Sequence, residues 1–279
     1  MAKGKTFILM TLLILIFMFF GNLMGGEEGM KMALIMAIGV NFFSYFFSDK
    51  LVLKHYHATE VNQSQFPALY QIVERLAHKA NLPMPKVYVI PDEVPNAFAT
   101  GRNPKHAAVA ATQGLLKILS PEELEGVLAH EMSHIRHYDI LTGTIAAAFA
   151  GAIAYLANFA RINNNNNRRN NGILAAILMP IAASIIQMSI SREREYKADE
   201  GAAYLTNHPE WLASSLSKLD DYAKNYTMRN ATTQTSHMFI INPFSGIKGL
   251  SQLFSTHPAT ADRIARLNEI ALLMRRSEF

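Results

Sequence analysis

Residues 120–139 read SPEELEGVLAHEMSHIRHYD, and this stretch determines the fold that the rest of the chain must complete. Ser120 is a favoured helix cap, and Pro121 suits the first helical position. Glu123 stands three residues after the cap, where its carboxylate can complete a capping box. The sequence therefore predicts a helix that begins at residue 121 and continues through the histidines that follow.

This helix contains the pattern H-E-x-x-H, as His130-Glu131-Met-Ser-His134. Positions four apart lie on one face of a helix, so both imidazoles can bind one metal ion. The carboxylate of Glu131 lies beside them, where it can take a proton from water at the metal. The motif predicts a zinc hydrolase, with two surface histidines on an ordinary helix as the alternative.

A third protein ligand must come from elsewhere, because zinc in hydrolytic sites usually takes three. The chain has no cysteine, which leaves His, Asp or Glu. His137 lies two turns from His130 and cannot easily join the pair, and Ile140 stands where a metzincin has its third histidine. Glu195 and Asp199 share one helical face, so one carboxylate can bind the metal while the other accepts a histidine N–H. A solvated charged helix with i,i+4 pairs is the alternative that these residues leave open.

The composition indicates that lipid solvates part of the chain. Half of the 279 residues are hydrophobic and 17% are charged, below the roughly 25% of soluble domains. The net charge of +4 is not accompanied by a Lys/Arg run with interleaved aromatics, which argues against a nucleic-acid partner.

Several stretches lack charged side chains and approach the roughly 20 residues that cross a bilayer. They are residues 6–24, 32–48, 140–160 and 172–191. The first pair predicts two transmembrane helices, the first of them an uncleaved signal anchor. For the last pair, a buried helical hairpin in a soluble core is the alternative.

The flanking charges predict the orientation of the spans. Lysines flank the first pair on one side, while the loop between the two spans is rich in glutamate; these lysines are Lys3, Lys5, Lys50 and Lys54. The positive-inside rule places that side in the cytoplasm. Arginines in the predicted outer loop of the last hairpin oppose complete crossing by that pair; they are Arg161, Arg168 and Arg169.

The chain is thus predicted to comprise spans in 1–50, a first domain part in 51–139, an apolar hairpin in 140–191 and a second domain part in 192–279. Further elements follow from periodicity and turn residues. Helices are expected over 66–80, 210–224 and 259–274, strands over 86–90, 96–100 and 107–111, and loops over 163–171 and 226–256.

In combination, the motifs resemble those of the M48 family of peptidases and, within it, the HtpX-type membrane proteases. The resemblance rests on HEMSH at 130–134, EYKAD at 195–199, NAFATG at 96–101 and THP at 256–258. The order of spans, zinc helix, apolar hairpin and Glu-bearing helix is also similar. The implied fold class is mainly α (α+β): transmembrane helices plus a zincin-like metallopeptidase domain with a small β-sheet.

The resemblance implies that His130, His134 and Glu195 bind one Zn²⁺ per chain. Glu131 would then be the base, and Asp199 would support a ligand histidine from behind. His257 would stabilise the oxyanion or gate the site, with a surface histidine before the last helix as the alternative. Arg263 would contribute charge or be a solvated neighbour of Asp262.

The resemblance also implies an edge strand that pairs with an extended substrate backbone, with an ordinary turn and strand as the alternative. Its residues are Asn96, Ala97, Phe98, Ala99 and Thr100. The expected function is endoproteolysis of misfolded membrane or membrane-associated polypeptides, in quality control at the bacterial inner membrane. A non-catalytic membrane scaffold with a structural zinc is the leading alternative. A transporter is disfavoured because the spans contain no ionisable residue.

Overall fold

The computed structural model describes residues 2–146, 149, 191–225 and 258–277. The expectations for most of the hairpin 140–191, for the Asn-rich tract 163–171, for the loop 226–256 and for His257 lie outside the described residues. The confirmed fold class combines apolar N-terminal helices with a mainly helical domain and a small mixed sheet.

The N-terminal helix α1, Ala2–His55, consists of two apolar arms joined at a kink. Gly25 and Gly26 have non-helical backbone angles there, and the φ of 62° at Gly26 is a conformation that glycine adopts readily. The windows Thr6–Leu23 and Gly25–Phe47 are long and apolar enough to cross a membrane. Only 17% and 22% of their residues are buried, so their apolar surface faces outward, as in a lipid-facing helix.

A further helix begins at residue 139 and packs against the first arm. Leu141, Ile145 and Phe149 form an apolar cluster with Leu9 and Leu13 of α1. A buried hydrogen bond of 3.0 Å joins the hydroxyl groups of Thr6 and Thr142. The start of the third apolar stretch is therefore packed against the first span.

The four-stranded sheet has the order β1-β2-β4-β3. The strands are β1 Thr59–Glu60, β2 Lys86–Ile90, β3 Ala97–Gly101 and β4 Ala107–Thr112. β2 and β4 are parallel, and the other pairs are antiparallel. The predicted strands are confirmed within one residue, while the short β1 was not predicted. Within the described part of the chain, β3 is the outermost strand on its side.

The helices of the domain surround α4, Pro121–Arg136, which begins with the predicted capping box. The Glu123 N–H donates to Ser120 Oγ, and the Ser120 N–H donates to Glu123 Oε2. The other helices are α2 Pro67–Lys79, α3 Gln113–Ile118, α5 Arg192–Thr206, α6 Pro209–Asn225 and α7 Thr260–Ser277. These bounds confirm the predicted helices to within a few residues.

α4 is buried on almost every side because α5, α6 and β3 all pack against it. Gly126 allows α6 to approach closely, since a Cβ there would lie 2.7 Å from the backbone nitrogen of Leu212. The core around α4 includes Val127, Leu128 and Met132, all with 0% exposure. This packing fixes the helix that carries the H-E-x-x-H motif.

Candidate metal centre

His130 and His134 point their Nε2 atoms toward one common point. These two atoms are 3.1 Å apart, and the rings meet edge to face at 89°. His130 is 1% exposed, whereas the side chain of His134 is 15% exposed. One face of α4 therefore presents two imidazole nitrogens to a single position, next to the buried His130 and the partly exposed His134.

Glu195 of α5 brings a carboxylate to the same position. Its Oε2 lies 3.6 Å from Nε2 of His130, and its Oε1 lies 3.7 Å from Nε2 of His134. Ligand atoms about 2.1 Å from a tetrahedral ion lie roughly 3.4 Å from one another. The observed spacing and the His₂Glu donor set therefore fit a zinc ion with an open fourth position.

Asp199 and Arg263 support His130 from behind. Nδ1 of His130 lies 2.9 Å from Oδ1 of Asp199, so this contact places the ring proton on Nδ1 and leaves Nε2 free to bind a metal. Arg263 donates from NH2 to Oδ1 of Asp199 at 2.6 Å and from Nε to Oδ2 at 2.9 Å. Both Asp199 and Arg263 are only 1% exposed.

The charges of this cluster shift its pKa values in opposite directions. Burial alone would raise the pKa of Asp199, but Arg263 and His130 outweigh it and lower that pKa to about 2. Burial alone would lower the pKa of His130, but Asp199 and Glu195 raise it to about 9. The carboxylates therefore stabilise positive charge at this position, and they would stabilise a bound divalent cation in the same way.

Asp139 and Arg194 support His134 in the same way. Oδ2 of Asp139 lies 3.4 Å from Nδ1 of His134, and NH1 of Arg194 lies 3.3 Å from Oδ1. Burial would raise the pKa of Asp139, but His134 and Arg194 together lower it. Each imidazole is thus held by its own carboxylate and arginine.

Glu131 faces away from these two pairs, toward the sheet. Its Oε2 accepts a hydrogen bond of 2.8 Å from the N–H of Ala99 on β3. Burial raises the pKa of Glu131, because the charged carboxylate is poorly solvated there. A carboxylate with a raised pKa beside a metal centre is suited to hold and pass on a proton.

The structure brings the other residues of the predicted substrate strand to different places. Ala99 is the member whose backbone contacts Glu131. The Asn96 N–H donates to Oγ1 of Thr112, and Phe98 packs beside Tyr56 with ring centroids 5.5 Å apart. Ala97 and Thr100 lie on β3 and are buried. The Thr100 hydroxyl forms a hydrogen bond with the Thr144 hydroxyl.

Three of these supporting residues were missed or misplaced by sequence reasoning. The expectation of a solvated Arg263 beside Asp262 is wrong, because α7 inserts Arg263 between α4 and α5 onto Asp199. Sequence reasoning assigned Asp139 and Arg194 no role at the metal centre. Their positions in the chain could have pointed to one, since Asp139 is the last charged residue before the third apolar stretch and Arg194 follows the fourth.

A helix with two imidazoles and an adjacent carboxylate, completed by a glutamate from a second helix, defines a metal-dependent peptidase of the H-E-x-x-H type. Comparison with known proteins gives the particular family. The sequence profile of peptidase family M48 matches residues 63–271. The chain belongs to this family, and its two apolar arms indicate a membrane-bound member.

The curated relatives are similar over almost their whole length. The protease HtpX homolog of Campylobacter hominis is 68% identical over 97% of this chain and 99% of its own. The protease HtpX homolog of Sulfurovum sp. is 54% identical over 97% of this chain and 100% of its own. These identities support a membrane-bound metalloprotease of the HtpX kind.

The fold is also similar to that of a protein of known structure. The crystal structure of S. mikatae Ste24p superposes with a TM-score of 0.53 at 18% sequence identity. The match covers 91% of this chain and 61% of that chain, so the present chain spans about three fifths of Ste24p. At this identity the likeness concerns the fold alone.

Proposed function

We propose that this protein is a zinc endopeptidase in which His130, His134 and Glu195 hold the metal and Glu131 is the catalytic base. The observation that carries the proposal is the convergence of three ligand atoms within 4.8 Å of one another. Glu131 follows one ligand in sequence and contacts the outermost strand of the sheet. A purely structural metal site would have no need of this buried base.

When bound, zinc supplies a Lewis acid that polarises the scissile carbonyl and lowers the pKa of a water molecule toward about 7. The role of Glu131 would be to hold a proton: its carboxylate would take one from the attacking water and later deliver it to the leaving amine. Asp199 and Asp139 keep the two imidazoles in the tautomer that leaves Nε2 free. The Ala99 N–H orients the Glu131 carboxylate before substrate arrives.

We propose further that the substrate backbone lies along β3 as an added strand. Among the described residues, β3 is paired with β4 on one side only, and the N–H of Ala99 points to the other side, where Glu131 lies. A strand added at this edge would present successive peptide bonds to the base and the metal. His257 remains a proposed oxyanion group.

The substrates that best fit this arrangement are misfolded membrane or membrane-associated polypeptides, in protein quality control. The similarity to HtpX homologs supports this assignment. The charges of α1 support a multi-pass inner-membrane location with the peptidase domain in the cytoplasm. Near the kink, Lys31 pairs with both Glu27 and Glu28, and these exposed residues would face the opposite side.

Metal content and proteolysis, measured on the same purified samples, test the proposed site. Glu131→Gln should retain zinc and lose cleavage of unfolded casein by about 10²–10⁴-fold. Glu195→Gln should lose both zinc and cleavage. Glu200→Gln changes an exposed carboxylate on the same helix and should match the wild type. Normal cleavage by the Glu131 variant would remove this residue as the base, and full zinc in the Glu195 variant would remove that ligand.

The orientation is testable because the natural chain has no cysteine. Single substitutions Glu28→Cys and Lys54→Cys change exposed positions at the kink and at the end of α1. A membrane-impermeant maleimide added to intact spheroplasts should label the first variant and label the second only after permeabilisation. The reverse pattern would contradict a cytoplasmic peptidase domain.

A further inference from the structure

A large cavity lies where α1 meets the peptidase domain, outside the metal centre. Its volume is about 900 Å³. One wall is apolar and comes from the first arm of α1 and the helix that begins at residue 139; it includes Phe7, Met10 and Leu141. Another part of the lining comes from the β3–β4 connection and the end of α4; it includes Arg102, Lys105 and Arg136. The cavity therefore combines an apolar wall with cationic side chains.

The positive charge in this cavity is not neutralised by the described part of the chain. The described residues that line the cavity include no aspartate or glutamate. Among the described residues, Arg102, Lys105 and Arg136 form no ion pair, and the guanidinium of Arg102 lies 5.3 Å from the ring centroid of Phe46 instead. By contrast, Lys86 and Lys117 on the domain surface each bind a glutamate. Three cations that lack a carboxylate partner among the described residues, placed around one cavity, favour an anionic ligand.

The position of the cavity relative to the apolar helices indicates what kind of anion this is. Phe7 and Met10 belong to the start of the first candidate span, and Tyr45, also in the lining, lies near the end of the second. These ends face the peptidase domain, where hydrocarbon gives way to water. Cationic side chains at this level contact lipid headgroups. Phe7 is 72% exposed, as a side chain in contact with an acyl chain would be.

We propose that this cavity binds an anionic phospholipid. Its phosphate would lie among Arg102, Lys105 and Arg136, and an acyl chain would lie against the apolar wall. A free phosphate ion would pair with the cations but leave the apolar wall uncovered. A neutral lipid would cover the apolar wall but leave the cations without an anionic partner. The inference depends on the membrane location of α1 and not on peptidase activity.

Lipid bound in this cavity would act on the helix that carries the metal-binding histidines. Arg136 is the last residue of α4 and lies two positions after His134. A ligand that binds only the folded state raises stability in proportion to the logarithm of its concentration. We therefore expect phosphatidylglycerol to raise the unfolding temperature of the protein above its value in phosphatidylcholine.

Native mass spectrometry of the full chain in detergent can test the proposal, with phosphatidylglycerol and phosphatidylcholine as probes. The wild type should retain phosphatidylglycerol selectively. The triple variant Arg102→Gln, Lys105→Gln, Arg136→Gln should bind it at least roughly tenfold more weakly, since each cation near a lipid surface contributes measurably. The matched control Lys86→Gln, Lys117→Gln, Lys224→Gln removes the same charge from paired surface lysines and should bind normally.

Two further measurements complete the test. One distinguishes a lipid headgroup from a free phosphate, and the other does not depend on whether the triple variant folds. Glycerol phosphate should compete poorly for the site; if it displaced the lipid at equal concentration, a headgroup-only phosphate site would replace the proposal. If the triple variant fails to fold, the single variant Lys105→Gln replaces it in the test. This substitution changes an exposed side chain and should weaken lipid binding severalfold. Equal lipid binding by the wild type and a folded variant would overturn the inference.

Discussion

Removing the Arg263 guanidinium should damage both the stability of the protein and its metal centre. Arg263 makes two hydrogen bonds to Asp199, which in turn holds Nδ1 of His130. In the variant Arg263→Met, Asp199 would keep its charge with 1% exposure and lose its main counter-charge. The partner of His130, Asp199, would then no longer be fixed in place by Arg263.

The expected magnitude follows from the burial of both partners. Removing one member of a buried ion pair costs about 3–5 kcal/mol, because it leaves a buried charge without its counter-charge. A typical domain has only about 5–15 kcal/mol of total stability. At about 2–4 °C per kcal/mol, the unfolding midpoint should fall by roughly 10 °C. Loss of the support behind a ligand should also weaken metal binding by about 10–100-fold.

Two further variants separate the stability effect from the positioning effect. Arg263→Lys keeps the charge but not the two-pronged geometry, so both effects should be intermediate. The double variant Arg263→Leu, Asp199→Leu removes both charges, so most of the lost stability should return. Its metal affinity should stay low, because His130 has no acceptor at Nδ1.

The assay combines thermal unfolding in detergent with zinc affinity from competition with a chelator. Both measurements use the full chain, with and without added zinc. A midpoint within 2 °C of the wild type and unchanged zinc affinity in Arg263→Met would refute the reasoning. Recovery of zinc affinity in the double variant would refute the positioning role alone.

Three other perturbations test neighbouring parts of the structure. Asp139→Asn should lower zinc affinity by about 10–100-fold through His134, measured by the same chelator competition, with the fold retained. Burial would raise the pKa of Glu123, but its bonded lysine and capping contacts outweigh burial and lower this pKa. The stabilisation by Glu123 is therefore present above pH ~4.5 and is lost as the pH falls below that value. Glu123→Gln should reduce this fall of the unfolding temperature at acid pH. Gly126→Ala should destabilise the protein by about 1–3 kcal/mol in denaturant titrations, because its Cβ would meet the Leu212 backbone. Wild-type behaviour in any of these assays would contradict the contact concerned.

Local signals predicted the elements that carry the chemistry. The cap at Ser120 predicted the start of α4, and helical spacing placed His130 and His134 on one face. Both depend on contacts within a few residues, which periodicity and capping residues encode directly. The third ligand, Glu195, could not be assigned from local signals alone, since α5 reaches α4 only through tertiary packing. Its assignment came from the resemblance of residues 195–199.

The parts that sequence reasoning missed depend on long-range packing. An arginine one residue after an aspartate suggests a solvated pair, and only the packing of α7 places Arg263 behind His130. β1 consists of two exposed residues, Thr59 and Glu60, so no alternation could reveal it. The sheet order places β4 between β2 and β3, although β3 precedes β4 in the chain. Such an order is decided by which faces are covered, not by local propensity.

The pair formed by Asp139 and Arg194 joins two points that lie 55 residues apart in the chain. Its position means that the chain leaves the metal centre and returns to it through the same ion pair. The entropic cost of bringing two chain positions together grows slowly with the number of residues between them, by only about 0.6 kcal/mol for each doubling. We therefore expect insertions or deletions in the Asn-rich tract 163–171 to leave the contact between Asp139 and His134 unchanged.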